Sequence, residues 1–305
     1  MKLPPLLPER YDELQPFFLR QRYRLSIYSL SSLLVWRNEK FQPYAEVLDG
    51  ALFIGFEFSD IRENRHLILP IAPDRDFPPA WLAAKARELG FHSYRFVPED
   101  YLARYSTADI QAHFRIQEEP DFEDYIYFTA DLAALAGNRY AKKRNLIKQF
   151  ERTYLNADRV AVTAITPEAE TECADFIEAW CLERDCGHDP GSELACEKIA
   201  AINALENLEL VKMDGILIRV DGVVSALGIA SRLTDDIGVL HFEKAFAAIK
   251  GLYQYLDREC ARRLFSGYTY INKESDMGLP GLAKAKQSYF PALRVKSYDL
   301  KLKEG

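Results

Sequence analysis

The chain lacks several features that often reveal a protein's class. It has five cysteines among 305 residues, an odd number at irregular spacing with no C-x-x-C pair, so no disulfide framework is indicated. Cys186, His188 and Asp189 lie close in sequence but have no second ligand pair, so we expect no metal ion. No uninterrupted apolar run of about 18 residues occurs, and the N-terminus has no signal-peptide core. These absences predict a cytoplasmic protein with reduced thiols.

An excess of positive charge is also absent. The 39 Lys and Arg residues against 46 Asp and Glu residues give a net charge of −7, which argues against a generic nucleic-acid coat but leaves room for a local basic site. The sequence has no G-x-S-x-G, H-E-x-x-H or Walker A pattern. Hydrolase, zinc-peptidase and P-loop functions therefore have no support.

What is present is an ordinary globular composition, with 48% hydrophobic and 28% charged residues. The length predicts about two domains of roughly 150 residues each. The pairs at 49–50 and 221–222, both Asp-Gly, predict hairpin turns. The apolar pattern further predicts helices over 79–89 and 101–114, and a strand, a turn and a strand over 210–220.

Each half of the chain reads as helix, helix, three antiparallel strands, helix, strand, helix and strand. A strongly basic segment over 138–154 separates the halves. We therefore predict an N-terminal domain over 1–137, a basic linker helix over 138–158 and a C-terminal domain over 159–305. The fold class is α+β.

The last part of the chain shows the clearest pattern of a ligand site. One apolar strand ends at Glu243, and the next, over 268–272, ends in a cluster of polar residues at 273–276. A helix beginning with glycine follows each strand. Two consecutive strand-to-helix units that place charged groups at strand ends predict a ligand site at the edge of a sheet.

Three carboxylates at these strand ends are candidate catalytic groups. Glu243 would act as a general base if partial burial raises its pKa; alternatively, it forms an ion pair with Lys244 or Lys273. Glu274 and Asp276 lie two residues apart, so in extended backbone they face one side and suit binding of an ammonium group or acid–base chemistry. The alternative for Asp276 is a solvated role in capping the following helix.

The helix starts add candidate donor-binding groups. Lys250 and Gly251 open a helix whose first N–H groups suit a phosphate, unless they form a simple tight turn. Lys286 and Tyr289 are three residues apart and share a helix face. Lys286 suits a phosphate or a developing oxyanion, and Tyr289 suits protonation of a leaving group. The alternative is a core tyrosine beside a surface lysine.

The basic segment provides candidate contacts to nucleic acid or lipid. Lys142, Lys143, Arg144 and Lys148 would contact RNA phosphates or an anionic membrane surface. A solvated face on a linker helix, packed through the apolar residues on its other face, explains the same pattern.

Four segments carry a resemblance to a known family. They are Lys-Lys-Arg-Asn at 142–145, His-Phe-Glu-Lys-Ala at 241–245, Tyr-Ile-Asn-Lys-Glu-Ser-Asp-Met-Gly at 270–278, and Gly-Leu-Ala-Lys-Ala-Lys-Gln-Ser-Tyr-Phe-Pro at 281–291. In these the chain resembles a bacterial family of uncharacterised proteins related to the catalytic C-terminal domain of phosphatidylglycerol lysyltransferases.

The resemblance implies two tandem GNAT-like domains, each a mixed, mostly antiparallel sheet flanked by helices, with the donor site in the second. It implies direct transfer of an acyl group from acyl-CoA or aminoacyl-tRNA to an amine or hydroxyl of a small molecule, peptide or lipid headgroup. The GNAT pyrophosphate loop normally reads Q/R-x-x-G-x-G/A, whereas residues 247–253 read A-A-I-K-G-L-Y. The alternative function is a non-catalytic protein of this fold that binds RNA, anionic lipid headgroups or a protein partner.

Overall fold

The fold comes from a computed structural model that describes residues 3–58, 65–72, 75–183 and 193–303. Its strands, in chain order, are β1 (Phe41–Leu48), β2 (Ala51–Phe58), β3 (His66–Leu67), β4 (Ser93–Pro98), β5 (Phe114–Glu118), β6 (Asp124–Phe128), β7 (Val160–Ala164), β8 (Asp214–Val220), β9 (Val223–Arg232), β10 (Ile237–Ala245), β11 (Tyr270–Asn272), β12 (Leu293–Val295) and β13 (Ser297–Leu302). Its α-helices are α1 (Tyr11–Phe18), α2 (Leu30–Val35), α3 (Pro79–Leu89), α4 (Glu99–Leu102), α5 (Thr107–Gln111), α6 (Thr129–Ala134), α7 (Ala141–Thr153), α8 (Glu170–Glu183), α9 (Glu193–Glu206), α10 (Leu252–Arg263) and α11 (Pro280–Gln287).

Two tight turns form where the sequence predicts them. Asp49 and Gly50 join β1 to β2 with φ values of 51° and 75°, and Asp221 and Gly222 join β8 to β9 with 54° and 81°. Positive φ at both central residues is the geometry of a type I′ hairpin turn, which Asp-Gly favours. Both hairpin predictions are therefore confirmed.

The strands form two mixed sheets. The first sheet has the order β1-β2-β3-β4-β13-β5, and the second sheet has the order β12-β6-β11-β10-β9-β8-β7. Most neighbours are antiparallel; β3 and β4 are parallel, and so are β10 and β11. The fold is thus a mixed arrangement of sheets and flanking helices.

The two halves of the chain exchange strands. β6 comes from the N-terminal half but pairs with β11 and β12 of the second sheet. β13, near the C-terminus, pairs with β4 and β5 of the first sheet. Each sheet is therefore completed by the other half. The division into domains over 1–137 and 159–305, with a linker helix over 138–158, stays a prediction.

Apolar residues cover both faces of the second sheet. Along β8, Ile216 and Ile218 join a core cluster with residues of α7 and α10, whereas Leu217 joins the cluster that extends to the first sheet. This alternation follows the two-residue period of a strand. The helix α2 lies at the junction of the halves, where the Ser31 hydroxyl donates to the Val211 carbonyl at 2.6 Å.

Two predicted elements differ from the structure. The helix predicted over 101–114 is wrong, because Ser106 has extended backbone and caps α5, which leaves two short helices and then β5. The strand predicted at 210–213 is also wrong: the Val211 N–H bonds to the Asn207 carbonyl, and Lys212 has a φ of 51°. A local side-chain cap interrupts the predicted helix, and a turn takes the place of the predicted strand, so neither segment has the regular structure that its apolar spacing indicated.

Candidate functional site

The second sheet opens between β10 and β11. The parallel pairing runs only from Ile237↔Tyr270 to Val239↔Asn272. There β11 ends, while β10 continues to Ala245 alongside β9. Residues 241–245 therefore meet the loop 273–276, and we call this place the strand opening. The pairing of β9 with β10 shifts register between Leu240 and Phe242, and such a bulge redirects a side chain next to it.

Lys273 joins two carboxylates at the strand opening. Its Nζ lies 2.7 Å from Glu243 Oε2 and 2.6 Å from Asp257 Oδ2. Burial lowers the pKa of Lys273, but the charges of Asp257 and Glu243 outweigh burial and raise it. Burial, reinforced by Asp257, raises the pKa of Glu243. The ion-pair alternative for Glu243 thus holds with Lys273, whereas Lys244 pairs with Glu197.

Glu274 binds a buried histidine at the same opening. His241 Nδ1 lies 2.8 Å from Glu274 Oε1, and His241 Nε2 lies 2.8 Å from Ser231 Oγ. The Ser231 hydroxyl is in turn 2.8 Å from that of Ser29. The imidazole side chain is fully buried, and 22% of the Glu274 side chain is exposed. The carboxylate therefore faces the opening with the histidine behind it.

Lys286 anchors the loop that carries Glu274. Its ammonium donates to the carbonyls of Lys273, Glu274 and Ser275 at 2.5, 3.1 and 2.5 Å. Burial lowers the pKa of Lys286 to about 8. Because all three of its donors bind backbone, this lysine fixes the loop; contact with a phosphate or oxyanion stays a prediction.

Tyr289 borders the same cluster. Its side chain is nearly buried, with Lys143 Nζ 3.8 Å and Lys273 Nζ 5.1 Å from the ring centroid. Burial raises the pKa of Tyr289, and the charges of Asp257 and Glu243 raise it further. The phenol therefore keeps its proton at neutral pH and can act as a donor.

Asp276 turns away from Glu274. Its carboxylate accepts hydrogen bonds from the Tyr125 hydroxyl at 2.5 Å and from the Gly278 N–H at 3.0 Å. These contacts hold the turn that leads into α11, but Asp276 is 7% exposed and the helix has no side-chain cap at its N-terminus, so the alternative of a solvated capping role is wrong. Glu274 has a φ of 60°, so the backbone here is not the extended one from which a shared side was predicted.

Gly251 has a packing role at the start of α10. Its φ is +87°, and an added Cβ would lie 2.2 Å from the Leu146 carbonyl oxygen of α7. Only glycine allows the two helices to approach this closely. Lys250 is exposed on the preceding turn. Phosphate binding by this pair stays a prediction.

Some basic residues of α7 are bound to other parts of the protein, whereas others are exposed. Lys143 donates to the Ser288 hydroxyl at 2.7 Å, and Arg144 binds the Gly137 carbonyl at 2.6 Å. Burial lowers the pKa of Lys143. Lys142 and Lys148 are exposed and are therefore the predicted RNA or lipid contacts that remain accessible.

Comparison with known proteins identifies the family. The sequence profile described as phosphatidylglycerol lysyltransferase, C-terminal, matches residues 20–301. The chain belongs to this family. A crystal structure of a conserved protein of unknown function from Bacteroides thetaiotaomicron shares 30% identity at a TM-score of 0.85, with 97% of each chain covered. No curated protein sequence matches significantly.

A second structure supports the fold of the phosphatidylglycerol lysyltransferase C-terminal family. It is the C-terminal domain of an Agrobacterium fabrum protein named as a lysylphosphatidylglycerol synthetase, with a TM-score of 0.66 and 13% identity over 98% of this chain and 92% of that one. At this identity the likeness concerns the fold alone.

The sequence predicts neither a membrane-spanning helix nor a bound metal ion, and the described residues can be compared with both expectations. Among the described residues, no helix combines the length and apolar character needed to cross a bilayer. Nor do three His, Cys, Asp or Glu side chains within the described ranges converge as metal ligands. Cys186, His188 and Asp189 lie outside those ranges, so the expectation of no metal stays a prediction.

The structure adds three residues that were not predicted as site residues. Asp257 lies in α10 beside the buried Leu256, and an acidic residue among the apolar residues of an amphipathic helix is a signal that the sequence offered. Lys273 was considered only as an ion-pair partner of Glu243. His241 follows an apolar run, so its side chain could not be assigned to either face until the bulge in β10 was known.

Proposed function

We propose that the chain is a GNAT-related acyl- or aminoacyltransferase with two tandem GNAT-like domains, which transfers its group by direct attack of an amine or hydroxyl. Membership in the phosphatidylglycerol lysyltransferase C-terminal family supports transfer chemistry. The observation that carries the proposal is the partly exposed Glu274 carboxylate, held by a buried imidazole at the strand opening. A carboxylate in this position suits a general base.

The reaction would begin when the acceptor nitrogen or oxygen attacks the donor carbonyl. A new C–N or C–O bond forms, and Glu274 takes the proton of the acceptor. The C–O bond to a tRNA ribose, or the C–S bond to CoA, then breaks. Tyr289 would give its proton to the departing ribose oxygen and regain one from solvent after product release, whereas a CoA thiolate would leave without a proton. No covalent enzyme intermediate is formed.

Glu243 has a different place in this proposal. It lies at the opening with 18% of its side chain exposed, and Lys273 supplies a counter-charge. Asp257, the other partner of Lys273, is only 3% exposed. Glu243 is therefore the member of this cluster that would reach an ammonium group on the donor or acceptor, while Asp257 holds the lysine in place.

The helix packing favours aminoacyl-tRNA over acyl-CoA as donor. The close approach of Leu146 to Gly251 accounts for the glycine without a pyrophosphate. Helix α7 also borders the site, since Lys143 lies over the Tyr289 ring. The exposed Lys142 and Lys148 would place positive charge beside the donor, where RNA phosphates or an anionic lipid headgroup would bind.

The test supplies both donors to the purified chain in parallel. Lysyl-tRNA, alanyl-tRNA or acetyl-CoA is mixed with polyamine, peptide or phosphatidylglycerol acceptors, and products are identified by mass spectrometry. We expect transfer from an aminoacyl-tRNA. Glu274→Gln should lower its rate at least about a hundredfold, the usual contribution of a general base. Glu209→Gln, at an exposed position, should leave the rate unchanged.

Three results would contradict parts of this proposal. Transfer from acetyl-CoA alone would overturn the choice of donor. An acyl-enzyme in the intact mass spectrum would overturn direct attack. Saturable binding of RNA or lipid without any turnover would instead support the non-catalytic binding function.

A further inference from the structure

A chain of buried hydrogen bonds runs from the N-terminal half of the molecule to Glu274. It passes from Ser29, just before α2, through Ser231 in β9 and His241 in β10 to the carboxylate. Each of the three links measures 2.8 Å. Ser29 and Ser231 are 1% and 7% exposed. Bulk water therefore does not compete for these contacts.

When Glu274 is ionised and His241 is neutral, the chemistry of the end groups sets the direction of every link. At one end the Ser32 N–H can only donate, and it lies 3.4 Å from Ser29 Oγ. At the other end an ionised Glu274 can only accept, so His241 Nδ1 carries a proton. In a neutral imidazole, Nε2 then accepts from the Ser231 hydroxyl, which accepts from Ser29. One arrangement of protons satisfies all four groups.

Three further contacts hold the Glu274 backbone. Its N–H donates to Asn272 Oδ1 at 2.7 Å, and its carbonyl accepts from Lys286 Nζ at 3.1 Å and from the Tyr125 N–H at 3.3 Å. They keep Glu274 at a φ of 60°, a region that residues other than glycine occupy at some cost in energy. The bulge beside His241 is a second departure from regular structure in the same place. Both irregularities therefore lie at the two residues that form the contact between His241 and Glu274.

We propose that Ser29, Ser231 and His241 are positioning residues that hold Glu274 in a single orientation, so that the N-terminal half takes part in the candidate active site. The inference rests on the proposed transferase function. The imidazole occupies Oε1 of Glu274, whereas Oε2 accepts no hydrogen bond from the described residues. Oε2 is then the atom that takes the proton of the attacking amine or hydroxyl.

Another buried serine of the protein provides a matched control for this proposal. Ser225 lies on the same strand as Ser231, is 3% exposed, and donates to the Val223 carbonyl at 3.0 Å. Ser225→Ala removes a buried hydroxyl outside the hydrogen-bonded chain. Ser231→Thr keeps a hydroxyl within it and serves as the rescue variant. If Ser231 had only a structural role, Ser231→Ala and Ser225→Ala would have the same effect on kcat.

The experiment measures transfer kinetics and the histidine tautomer of the same variants. Ser231→Ala and Ser29→Ala should lower kcat about tenfold to a hundredfold, as loss of the outer hydrogen-bond partner of a metal-bound histidine does, with KM within about twofold. Ser225→Ala and Ser231→Thr should stay within about threefold of wild type. Nitrogen NMR of ¹⁵N-histidine protein, with His241→Gln for assignment, should show the proton of His241 on Nδ1, and Ser231→Ala should shift the Nε2 signal.

Either of two results would overturn the inference. One is a wild-type His241 that carries its proton on Nε2. The other is a kcat in Ser231→Ala and Ser29→Ala no lower than in Ser225→Ala. Absence of turnover in the wild type would overturn the proposed function instead, and the tautomer would still decide whether the hydrogen-bonded chain exists.

Discussion

At the scale of single residues, the strand opening is governed by buried charges that compensate one another. Lys273 is 10% exposed and binds both Glu243 and Asp257. A buried charge that loses its partner is strongly destabilising, because its desolvation is no longer offset. The same lysine that shapes the site therefore also supports the fold.

Lys273→Met should lower the free energy of unfolding by about 3–5 kcal/mol, the range for breaking a buried ion pair. Urea titration at pH 7 measures this loss. Lys273→Met combined with Asp257→Asn should recover part of it, since one uncompensated carboxylate is removed. Lys301→Met, whose side chain is 56% exposed, is the control and should change stability little. A Lys273→Met loss no larger than the control would contradict the prediction.

Asp124 predicts a specific dependence of stability on pH. It is 3% exposed, and burial raises its pKa from 3.8 to about 6. The folded state therefore binds more protons between these values, so this group's contribution is present below about pH 4 and is lost as pH rises through 6. The shift corresponds to about 3 kcal/mol.

Asp124→Asn tests this dependence. Asparagine keeps an oxygen that can accept from the Ser26 N–H and the Asn272 amide, as Asp124 Oδ2 does at 2.5 and 2.8 Å. Between pH 4 and 6.5, wild type should lose about 2 kcal/mol of this stability relative to the variant. Urea titrations across this range measure the difference, with the exposed Asp235→Asn as control. Parallel pH profiles for wild type and Asp124→Asn would refute the prediction.

At the scale of elements, the contact between α7 and α10 determines how closely the basic helix approaches the site. Gly251 combines a φ of +87° with the contact to Leu146, whereas Gly222 has a φ of +81° and nothing within 4 Å of an added Cβ. Comparison of the two glycines therefore separates the energetic cost of a left-handed backbone from the cost of steric overlap with α7.

Gly222→Ala should lower the free energy of unfolding by about 1 kcal/mol, from the left-handed backbone alone. Gly251→Ala should lower it by roughly 1–3 kcal/mol more, because helix α7 must move. Thermal or urea unfolding measures both. Equal losses in the two variants would show that the close approach of the helices carries no energetic weight.

The exposed face of α7 predicts a salt-dependent interaction. The double variant Lys142→Gln, Lys148→Gln should weaken binding to tRNA and lower the slope of log affinity against log salt by up to about 2, one for each phosphate contact. Fluorescence anisotropy at several salt concentrations measures this. Lys296→Gln with Lys301→Gln changes the charge equally on another surface, and an equal effect there would exclude a specific role for α7.

At the scale of the whole molecule, the exchange of β6 and β13 joins the two sheets into one structure. Each sheet lacks a strand until the other half of the chain is present. Core residues from both halves also belong to one apolar cluster. We therefore expect the two halves to unfold together.

Single-tryptophan variants test this coupling. Trp81 lies in α3, where its ring contacts Phe53 of the first sheet, and Trp180 lies in α8, which packs on the second sheet. Urea unfolding followed through either residue should give the same midpoint, as a single cooperative transition requires. A fragment of residues 1–137, expressed alone, should remain unfolded. Separate midpoints, or a folded fragment, would favour independent domains with the boundaries read from the sequence.

Local signals in the sequence predicted what local physics controls. Asp-Gly at 49–50 and 221–222 predicted both hairpins, because positive φ at both central residues depends on the turn residues themselves. The helix predicted over 79–89 ends where expected, since Gly90 readily adopts the left-handed backbone found there. The charged residues at 243 and at 273–274, predicted to lie at the ends of two strands, likewise indicated where charged groups would gather.

Only the tertiary structure decided which of those groups face one another. The Glu274–His241 contact depends on the place where β11 ends and on the bulge in β10, and Ser29 reaches it across about two hundred residues of chain. Hydrogen bonds and ion pairs between distant segments leave no periodic trace in a single sequence. The exchange of β6 and β13 is hidden for the same reason: an apolar strand pattern does not specify which sheet the strand joins, and tertiary packing decided it.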